Sequence, residues 1–387
     1  MKSSFILREY QDIAVNKALE FIKDNPILVL PTGAGKSIII TEIAKKTNGN
    51  IIVLQPNKEI LLQNYKKYKL YSEDCSIFSA SCNIKEIARV CFATIGSVIN
   101  CTSLFNNIKL TIIDECHLVD SKENETMYYK FLKILKVNVI GLSATPYRMH
   151  ATLKYGSMTK FLHRTRERIF TKIAYNVNPS FLIENGFLCK LKYFNITLNT
   201  SILKTNTQKS DFTKTSIESL INDNFTKICK GILNVSKEHN HCLVFCSSIE
   251  ICEKIAKYLF SLGAAAQHLH SKMENFERDE VIQSFKNGKI KILINVGVLT
   301  TGFDFPELDC IVLAKPTLSI SLYYQMVGRG LRVAKNKEFC SIYDLCGNIK
   351  RFGKIENFEI SGADGKENLY SKVFNTRTQL THINYCF

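Results

Sequence analysis

The stretch ILVLPTGAGKS, residues 27–37, joins a short apolar run to a glycine-rich turn, and a helical pattern from Ile38 to Lys46 follows it. A strand, a turn of this kind and a helix in this order are the context that a phosphate-binding loop requires. Gly33 and Gly35 allow the backbone to curl so that successive N–H groups point at phosphate oxygens, and the helix N-terminus adds its positive dipole end. The residues expected to contact the phosphates are Thr32, Gly33, Ala34, Gly35, Lys36 and Ser37.

The roles inside this loop differ by residue type. The Lys36 ammonium is expected to contact the β- and γ-phosphates, and the Ser37 hydroxyl is expected to bind Mg²⁺. The general pattern begins with glycine, whereas Leu30 stands at that place here. Because a strand and a helix flank the loop, a chance glycine-rich turn is the weaker interpretation.

An acidic pair, Asp114 and Glu115, ends the apolar run Leu110–Ile113. In a doubly wound sheet the carboxyl end of a parallel strand lies beside the phosphate loop. We expect Asp114 to hold Mg²⁺ and Glu115 to orient and deprotonate an attacking water. His117, and the hydroxyl residues of the segment 143–145, are expected to link this pair to a second domain.

Two arginines stand close together in QMVGRGLR, residues 325–332. Arg329 and Arg332 are three residues apart, a spacing that places both on one face of a helix. Two guanidinium groups facing an interdomain cleft can stabilise the charge that develops on a transferred γ-phosphoryl group. The alternative is a basic surface helix, but the preceding Tyr323 and Tyr324 favour close packing.

Apolar runs alternate with helical stretches along the chain, which predicts an α/β fold with parallel sheets covered on both faces. The runs are Ile27–Leu30, Ile51–Leu54, Leu110–Ile113, Asn138–Leu142, Cys242–Phe245, Ile290–Val296 and Cys310–Leu313. The restart of the pattern after a less regular stretch predicts two α/β domains at 1–150 and 225–348. Between them lies a connector at 151–224, and a tail at 349–387 follows.

Composition excludes several other classes of protein. The chain has 387 residues, of which 45% are hydrophobic and 22% charged, values typical of globular proteins. No apolar run approaches the roughly 20 residues that span a bilayer, and the N-terminus lacks the apolar core of a signal peptide. The 14 cysteines are scattered without any Cys-x-x-Cys pair, which favours free thiols and a cytoplasmic protein.

The basic excess is concentrated in the connector. Residues 151–230 carry 13 Lys and Arg against 5 Asp and Glu, a net of +8 within a chain total of +16. A basic segment between two nearly balanced ones suggests a surface for a polyanion such as nucleic acid. Arg164, Arg166 and Arg168 are the candidates for contact with a DNA duplex or junction, and an arginine-rich solvated loop is the alternative.

Taken in order, these motifs resemble those of the superfamily-two helicases and translocases, which have two RecA-like domains in tandem with an ATP cleft between them. The acidic pair resembles a DEAH-type box with Cys in the third place. The resemblance covers about residues 8–348, and its stretches are REYQ at 8–11, TGAGKS at 32–37, QPN at 55–57, ATI at 93–95, DECH at 114–117, SAT at 143–145, VFCS at 244–247, TTGFD at 300–304 and QMVGRGLR at 325–332.

A closer resemblance is to the RadD-like DNA helicases and the related UvsW-type phage branch-migration helicases. It rests on residues 30–37, 296–304, 325–332 and DLCGN at 344–348. Members of this group hydrolyse ATP and act on branched DNA during recombination and repair. RadD also carries a C-terminal zinc module built on cysteine pairs, and we expect this chain to lack it.

The resemblance also implies roles for individual residues. Arg8 and Gln11 would contact adenine, and Asp304 would reach the ribose. The ATP site would further include Gly302 and Gln325, with Lys36, Asp114, Glu115, Gln325, Arg329 and Arg332 as its catalytic residues. The residues nearer to nucleic acid would be Gln55, Pro56, Thr94 and Thr300.

The sequence therefore predicts an ATP- and Mg²⁺-dependent helicase or translocase acting on branched, forked or single-stranded DNA. Recombination proteins and single-strand-binding proteins are the expected protein partners, and no membrane partner is expected. Two alternatives remain open: an RNA helicase, because the same motor runs on RNA, and an ATP-gated nucleic-acid clamp that does not unwind processively.

Overall fold

The computed structural model describes residues 6–119, 126–152, 156–165, 168–196, 198–299 and 302–383. These residues form two compact units. The first unit comprises Met1–Arg148, Lys160–Asn178 and Ile360–Asn368. The second unit comprises Met149–Thr159, Pro179–Glu359 and Leu369–Phe387. Among the described residues, no helix is long and apolar enough to cross a membrane.

The first unit is built on an eight-stranded sheet in the order β10-β1-β7-β6-β2-β5-β3-β4. All its strand pairs are parallel except β3 with β4, which are antiparallel. A separate two-stranded sheet pairs β8 with β9, and most of the residues of these strands belong to the second unit. The strands are β1 (Pro26–Val29), β2 (Asn50–Gln55), β3 (Cys75–Ser79), β4 (Ile84–Lys85), β5 (Val90–Thr94), β6 (Ile108–Asp114), β7 (Asn138–Ser143), β8 (Tyr147–Thr152), β9 (Gly156–Phe161) and β10 (Lys172–Asn176).

The second unit is built on a six-stranded sheet in the order β11-β16-β15-β12-β14-β13, and every neighbouring pair in it is parallel. A three-stranded sheet, β17-β18-β19, lies near the C-terminus, and most of β17 belongs to the first unit. These strands are β11 (Lys190–Asn195), β12 (Cys242–Phe245), β13 (Ala266–His270), β14 (Ile292–Val296), β15 (Cys310–Leu313), β16 (Phe339–Asp344), β17 (Glu359–Ser361), β18 (Asn368–Val373) and β19 (Thr376–Gln379).

Helices connect the parallel strands, as a parallel sheet requires. They are α1 (Glu9–Glu20), α2 (Lys36–Lys46), α3 (Lys58–Lys69), α4 (Ile95–Val98), α5 (Met127–Leu135), α6 (Pro179–Glu184), α7 (Lys214–Asp223), α8 (Phe225–Lys237), α9 (Ile249–Ser261), α10 (Asn275–Lys286), α11 (Ile320–Gly328) and α12 (Asn348–Phe352). Local sequence sets several starts: the Asn57 side chain accepts a hydrogen bond from Ile60 N at the beginning of α3.

The central strands are buried along their whole length. All four residues of β1, β12 and β15 are buried, because helices cover both faces of each sheet. This arrangement confirms the predicted fold of two tandem RecA-like units with parallel sheets. The predicted bounds of β12 and β15 agree with the structure, and β1 begins and ends one residue earlier than its apolar run.

Two predicted segments are organised differently from what the sequence suggested. The connector 151–224 is not a separate element, because β10 joins the first sheet and β11 joins the second. The tail 349–387 contains all but the first residue of α12 and the sheet β17-β18-β19. These strands are short and carry exposed polar residues, so their sequences show no continuous apolar run.

Candidate nucleotide site

The phosphate loop lies between β1 and α2, with Gly33 at φ 87° and Gly35 at φ 82°. These left-handed conformations favour glycine, as the sequence pattern anticipated. Two side chains of α1 fasten the loop: Tyr10 donates its hydroxyl hydrogen to Ala34 O at 2.8 Å, and Gln11 Nε2 donates to the same carbonyl at 3.1 Å. A Cβ at Gly35 would lie 2.5 Å from Gln11 Nε2, so an added methyl group would displace this amide from the loop.

Gln11 has a different position from the one that the resemblance implied. Its Oε1 accepts a hydrogen bond from Arg8 N at 3.0 Å, its Nε2 bonds the loop, and the residue is 3% exposed. The amide that was expected to read adenine therefore holds the phosphate loop in this structure. The Arg8 side chain is half-buried and lies 3.4 Å from the Tyr10 hydroxyl.

A continuous series of polar contacts connects the loop to the ends of two strands. Lys36 Nζ lies 3.0 Å from Glu115 Oε1, and Glu115 Oε2 lies 3.3 Å from His117 Nδ1. His117 Nδ1 is 2.9 Å from Ser143 Oγ, which in turn accepts a hydrogen bond from Thr145 N at 3.0 Å. The structure thus brings together residues from three motifs that are far apart in sequence.

Asp114 lies at the end of β6 and is 4% exposed. Its Oδ1 accepts a hydrogen bond from Glu115 N at 3.0 Å, and its Oδ2 accepts one from Asn64 Nδ2 at 3.1 Å. Asn64 therefore orients the carboxylate. Sequence reasoning missed this residue, although a polar side chain among the buried positions of α3, with Ile60, Leu61 and Tyr68, is a readable signal.

The donor set fits a magnesium ion. Asp114 supplies carboxylate oxygens and Ser37, in the first turn of α2, supplies a hydroxyl, and both are the hard oxygen ligands that Mg²⁺ prefers. In sites of this type, substrate phosphate oxygens and waters complete the coordination of Mg²⁺. Ser37 and Asp114 are accordingly the residues that would hold it.

The two carboxylates of the acidic pair have opposite electrostatic settings. Burial, and next the negative charge of Glu115, raise the pKa of Asp114 above its usual range. Burial alone would also raise the pKa of Glu115, but the charge of Lys36 and the hydrogen bond from His117 outweigh it and hold that pKa well below its usual range. Glu115 is therefore an anion fixed between two partners, at a backbone φ of 55°.

In the second unit, α11 ends at Gly328, so Arg329 lies in a short 3₁₀ turn and Arg332 in extended backbone. The expectation that both lie on one helical face is wrong for this reason. Instead they converge on one acceptor: Arg329 Nη1 and Arg332 Nη1 donate to Phe303 O at 3.0 and 2.8 Å. Arg332 Nε also lies 2.7 Å from Asp304 Oδ1.

Two residues with implied roles at the nucleotide have partners in their own unit in this structure. Asp304, expected at the ribose, pairs with Arg332 in this structure. Arg329 is 5% exposed and is held against the backbone of its own unit. Gly302 has a φ of 77°, and Gln325 lies half-buried in α11.

The predicted nucleic-acid residues fall into three groups. Gln55 is fully buried at the end of β2, with no hydrogen-bond partner for its amide, so it presents no surface to a strand in this structure. Pro56 is half-buried, and so is Thr94, whose hydroxyl bonds the Ser97 hydroxyl at 2.9 Å. Thr300 and Arg166 lie outside the described residues.

The other connector arginines make contacts within the first unit. Arg164 Nη1 donates to Glu367 O at 2.8 Å and to Asn368 Oδ1 at 3.2 Å. Arg168 Nη1 donates to His163 O at 3.1 Å, and the residue is exposed. Arg164 therefore anchors the C-terminal segment, and of the two only Arg168 is an exposed residue. The net charge of residues 151–230 could not reveal this difference between the two arginines.

Two family profiles match the chain. "Type III restriction enzyme, res subunit" matches residues 4–148. "Helicase conserved C-terminal domain" matches residues 223–334. The first match contains the phosphate loop and the acidic pair, and the second contains Phe303, Asp304, Arg329 and Arg332.

The chain is similar to two curated fungal proteins. It is 28% identical over 371 residues to "Putative ATP-dependent helicase IRC3" of Saccharomyces cerevisiae, with 89% of this chain and 52% of that protein covered. It is 29% identical over 398 residues to "Putative mitochondrial ATP-dependent helicase irc3" of Schizosaccharomyces pombe, with 96% and 62% covered. The chain thus spans between half and two thirds of the length of these relatives.

Solved structures share the fold. The ATP-dependent Type ISP restriction-modification enzyme LlaBIII bound to DNA superposes with a TM-score of 0.64 at 17% identity, covering 89% of this chain and 28% of that one. Dbp5 L327V of S. cerevisiae bound to RNA and ADP BeF3 gives a TM-score of 0.59 at 16% identity, covering 87% and 83%. Both likenesses concern the fold alone.

Proposed function

We propose that this chain is a superfamily-two helicase and that ATP hydrolysis at the Lys36–Glu115 site drives its movement along DNA, with branched or forked DNA as the substrate. The two helicase-type domains and the ATP-dependent relatives support an enzyme of the nucleic-acid-dependent ATPase class. The observation that carries the proposal is the series of contacts from Lys36 through Glu115 and His117 to Ser143.

The contacts suggest how the site works. A triphosphate in the loop competes with Glu115 for Lys36, because the ammonium reaches phosphate oxygens in loops of this kind. Glu115 then loses one cationic partner and keeps His117, which holds the carboxylate in place to accept a proton from water. Magnesium held by Ser37 and Asp114 would neutralise charge on the β- and γ-phosphates.

The same series suggests how hydrolysis is sensed beyond the loop. His117 Nδ1 lies 3.3 Å from Glu115 Oε2 and 2.9 Å from Ser143 Oγ, and Ser143, the last residue of β7, accepts a hydrogen bond from Thr145 N. Because Glu115 and Ser143 share one ring nitrogen, a change in the position of Glu115 alters the contact of His117 with the end of β7. We propose that this path couples phosphate release to the grip on nucleic acid.

DNA is favoured over RNA by the resemblance of residues 30–37, 296–304 and 325–332 to branch-migration helicases. A structural neighbour bound to DNA is compatible with this choice, and a neighbour bound to RNA keeps the alternative testable. The excess of 13 basic over 5 acidic residues in 151–230 suits a phosphate backbone of either kind.

ATP turnover measured with a forked duplex, a linear duplex, single-stranded DNA and RNA of equal length tests this proposal. We expect the fork to give the largest stimulation, and a fluorescent strand-displacement assay to show ATP-dependent unwinding or branch migration. Stimulation of ATP turnover by RNA and not by DNA would show that RNA is the substrate instead. Stimulated turnover without any displacement or translocation would favour the clamp.

A further inference from the structure

A cluster of three metal-ligating side chains lies in the second unit, outside the residues assigned to ATP or nucleic acid. It consists of Glu253 on α9 and of His268 and His270 on β13, and their ligand atoms all lie within 4.8 Å of one another. His268 and His270 are two residues apart on one strand, so both project from the same face of the sheet. Their rings are stacked, with centroids 5.3 Å apart and planes inclined by 12°.

The packing of α9 against β13 brings the carboxylate to the two rings. Glu253 Oε1 lies 2.9 Å from His270 Nε2. Despite this short distance, neither ring nitrogen of His270 has an aligned hydrogen-bond partner among the described residues, and the His270 side chain is only 7% exposed. A buried ring nitrogen without an aligned partner is costly, and an ion at the meeting point of the three side chains would give one nitrogen of His270 a partner.

We propose that Glu253, His268 and His270 bind a divalent transition-metal ion, with zinc as the occupant. Two imidazoles and one carboxylate are a ligand set that zinc takes in proteins, with solvent in the fourth position. The Glu253 side chain is 50% exposed, which gives the ion a path from solvent and leaves room for that water. The cluster contains no cysteine, so it is unrelated to a zinc module built on cysteine pairs.

The position of the cluster suggests a structural consequence. β13 is the edge strand of the second sheet and is paired on one side only, with β14. A metal ion shared by α9 and β13 ties this edge strand to the helix that covers it. Zinc binding therefore stabilises the second unit, because any ligand bound only by the folded state does so.

Titration of the full chain with Zn²⁺ by isothermal calorimetry, and with Co²⁺ by visible absorption, tests the site. We expect one tightly bound ion and a tetrahedral cobalt spectrum without a thiolate charge-transfer band, which excludes the cysteines as ligands. His268→Gln should weaken binding by more than about 100-fold, since even loss of a supporting residue around a metal costs 10–100-fold. Glu253→Gln changes an exposed side chain, so it preserves the fold and should still weaken binding measurably.

Two matched control variants change residues of the same unit that lie outside the cluster. Glu250→Gln removes an exposed carboxylate from the same helix, and His239→Gln removes an imidazole that lies outside the cluster; both variants should bind zinc like the unchanged chain. Hydrogen exchange in α9 and β13 should slow on zinc addition in the unchanged chain and not in Glu253→Gln. Absence of binding, or equal zinc affinity in Glu253→Gln and Glu250→Gln, would overturn the proposal.

Discussion

The two units contain the same strand–turn–helix arrangement, β1 to α2 in the first and β12 to α9 in the second, but the two helices begin differently. In the second unit, Ser248 Oγ accepts a hydrogen bond from Ile251 N and caps α9. In the first, Gly35 occupies the cap position at φ 82°, and the corresponding Ile38 N donates to Gly35 O at 2.9 Å. The cap residue of α2 therefore places no side chain between the N-terminus of the helix and an anion.

The charged residues of the two units also differ in the partners that they contact. Lys36 and Glu115 of the first unit already face each other, supported by His117. In the second unit, Arg329 and Arg332 are held by Phe303 O and Asp304. On the proposed function, Lys36 exchanges Glu115 for a phosphate inside the first unit, whereas Arg329 and Arg332 must exchange Phe303 O and Asp304 before they can act on one.

The largest expected effect concerns these arginines. Arg329→Ala and Arg332→Ala should each lower kcat for ATP by about 10³–10⁵, because an arginine that stabilises the transferred phosphoryl group acts mainly in the transition state. The ATP Kd should change much less. Measuring kcat and Kd for each variant decides the matter, and equal losses in both quantities would indicate a ground-state phosphate clamp.

Replacement of Gly35, in the turn between β1 and α2, tests whether the backbone conformation of this turn matters for ATP binding. Gly35→Ala forces a left-handed conformation that costs about 1–2 kcal/mol for a residue with a Cβ, and it displaces Gln11 from Ala34. We expect ATP affinity to fall about tenfold. Gly263→Ala is the matched control, since Gly263 also has φ +82° and its added Cβ would meet nothing within 4 Å. Equal ATP affinity in both variants would contradict the proposed role of the loop.

Loss of the Ser248 cap at the start of α9 should lower stability and leave ATP affinity unchanged. Ser248→Ala removes the side chain that satisfies Ile251 N, at a cost of about 1 kcal/mol in the stability of the second unit. ATP affinity should stay unchanged, because the residue belongs to no phosphate loop. Thermal unfolding and ATP binding measured on the same variant give both readouts, and a loss of ATP affinity would show that this turn also holds nucleotide.

The smallest effect is expected at the basic surface. Arg168→Ala should reduce the slope of log affinity against log salt for fork DNA by about one unit if it contacts one phosphate. Lys257→Ala, an exposed cation on α9, is the charge-matched control and should leave the slope unchanged. Arg164→Ala is expected to destabilise the first unit instead, since Arg164 bonds Glu367 O and Asn368. An unaltered slope for Arg168→Ala would contradict a phosphate contact and favour the alternative of an arginine-rich solvated loop.

The sequence predicted the features that depend on local patterns of residues. Continuous apolar runs identified β12 and β15, and glycine spacing located the phosphate loop, because each depends on a few neighbouring residues. Partners that come from distant segments were not predictable: Asn64 reaches Asp114 across 50 positions, and Arg164 reaches Glu367 across 203. Helical spacing also misplaced Arg332, since α11 ends at Gly328 and the chain continues in extended form.

The most direct test of the central claim is ATP turnover and ATP affinity of Glu115→Gln at saturating fork DNA. The account predicts a loss of turnover of about 10²–10⁴-fold with ATP binding largely retained, because the attacking water loses its base while the loop stays intact. Lys36→Ala, which removes the phosphate contact itself, should weaken both quantities. Normal turnover in Glu115→Gln would contradict the assignment of Glu115 and with it the hydrolytic site of the first unit.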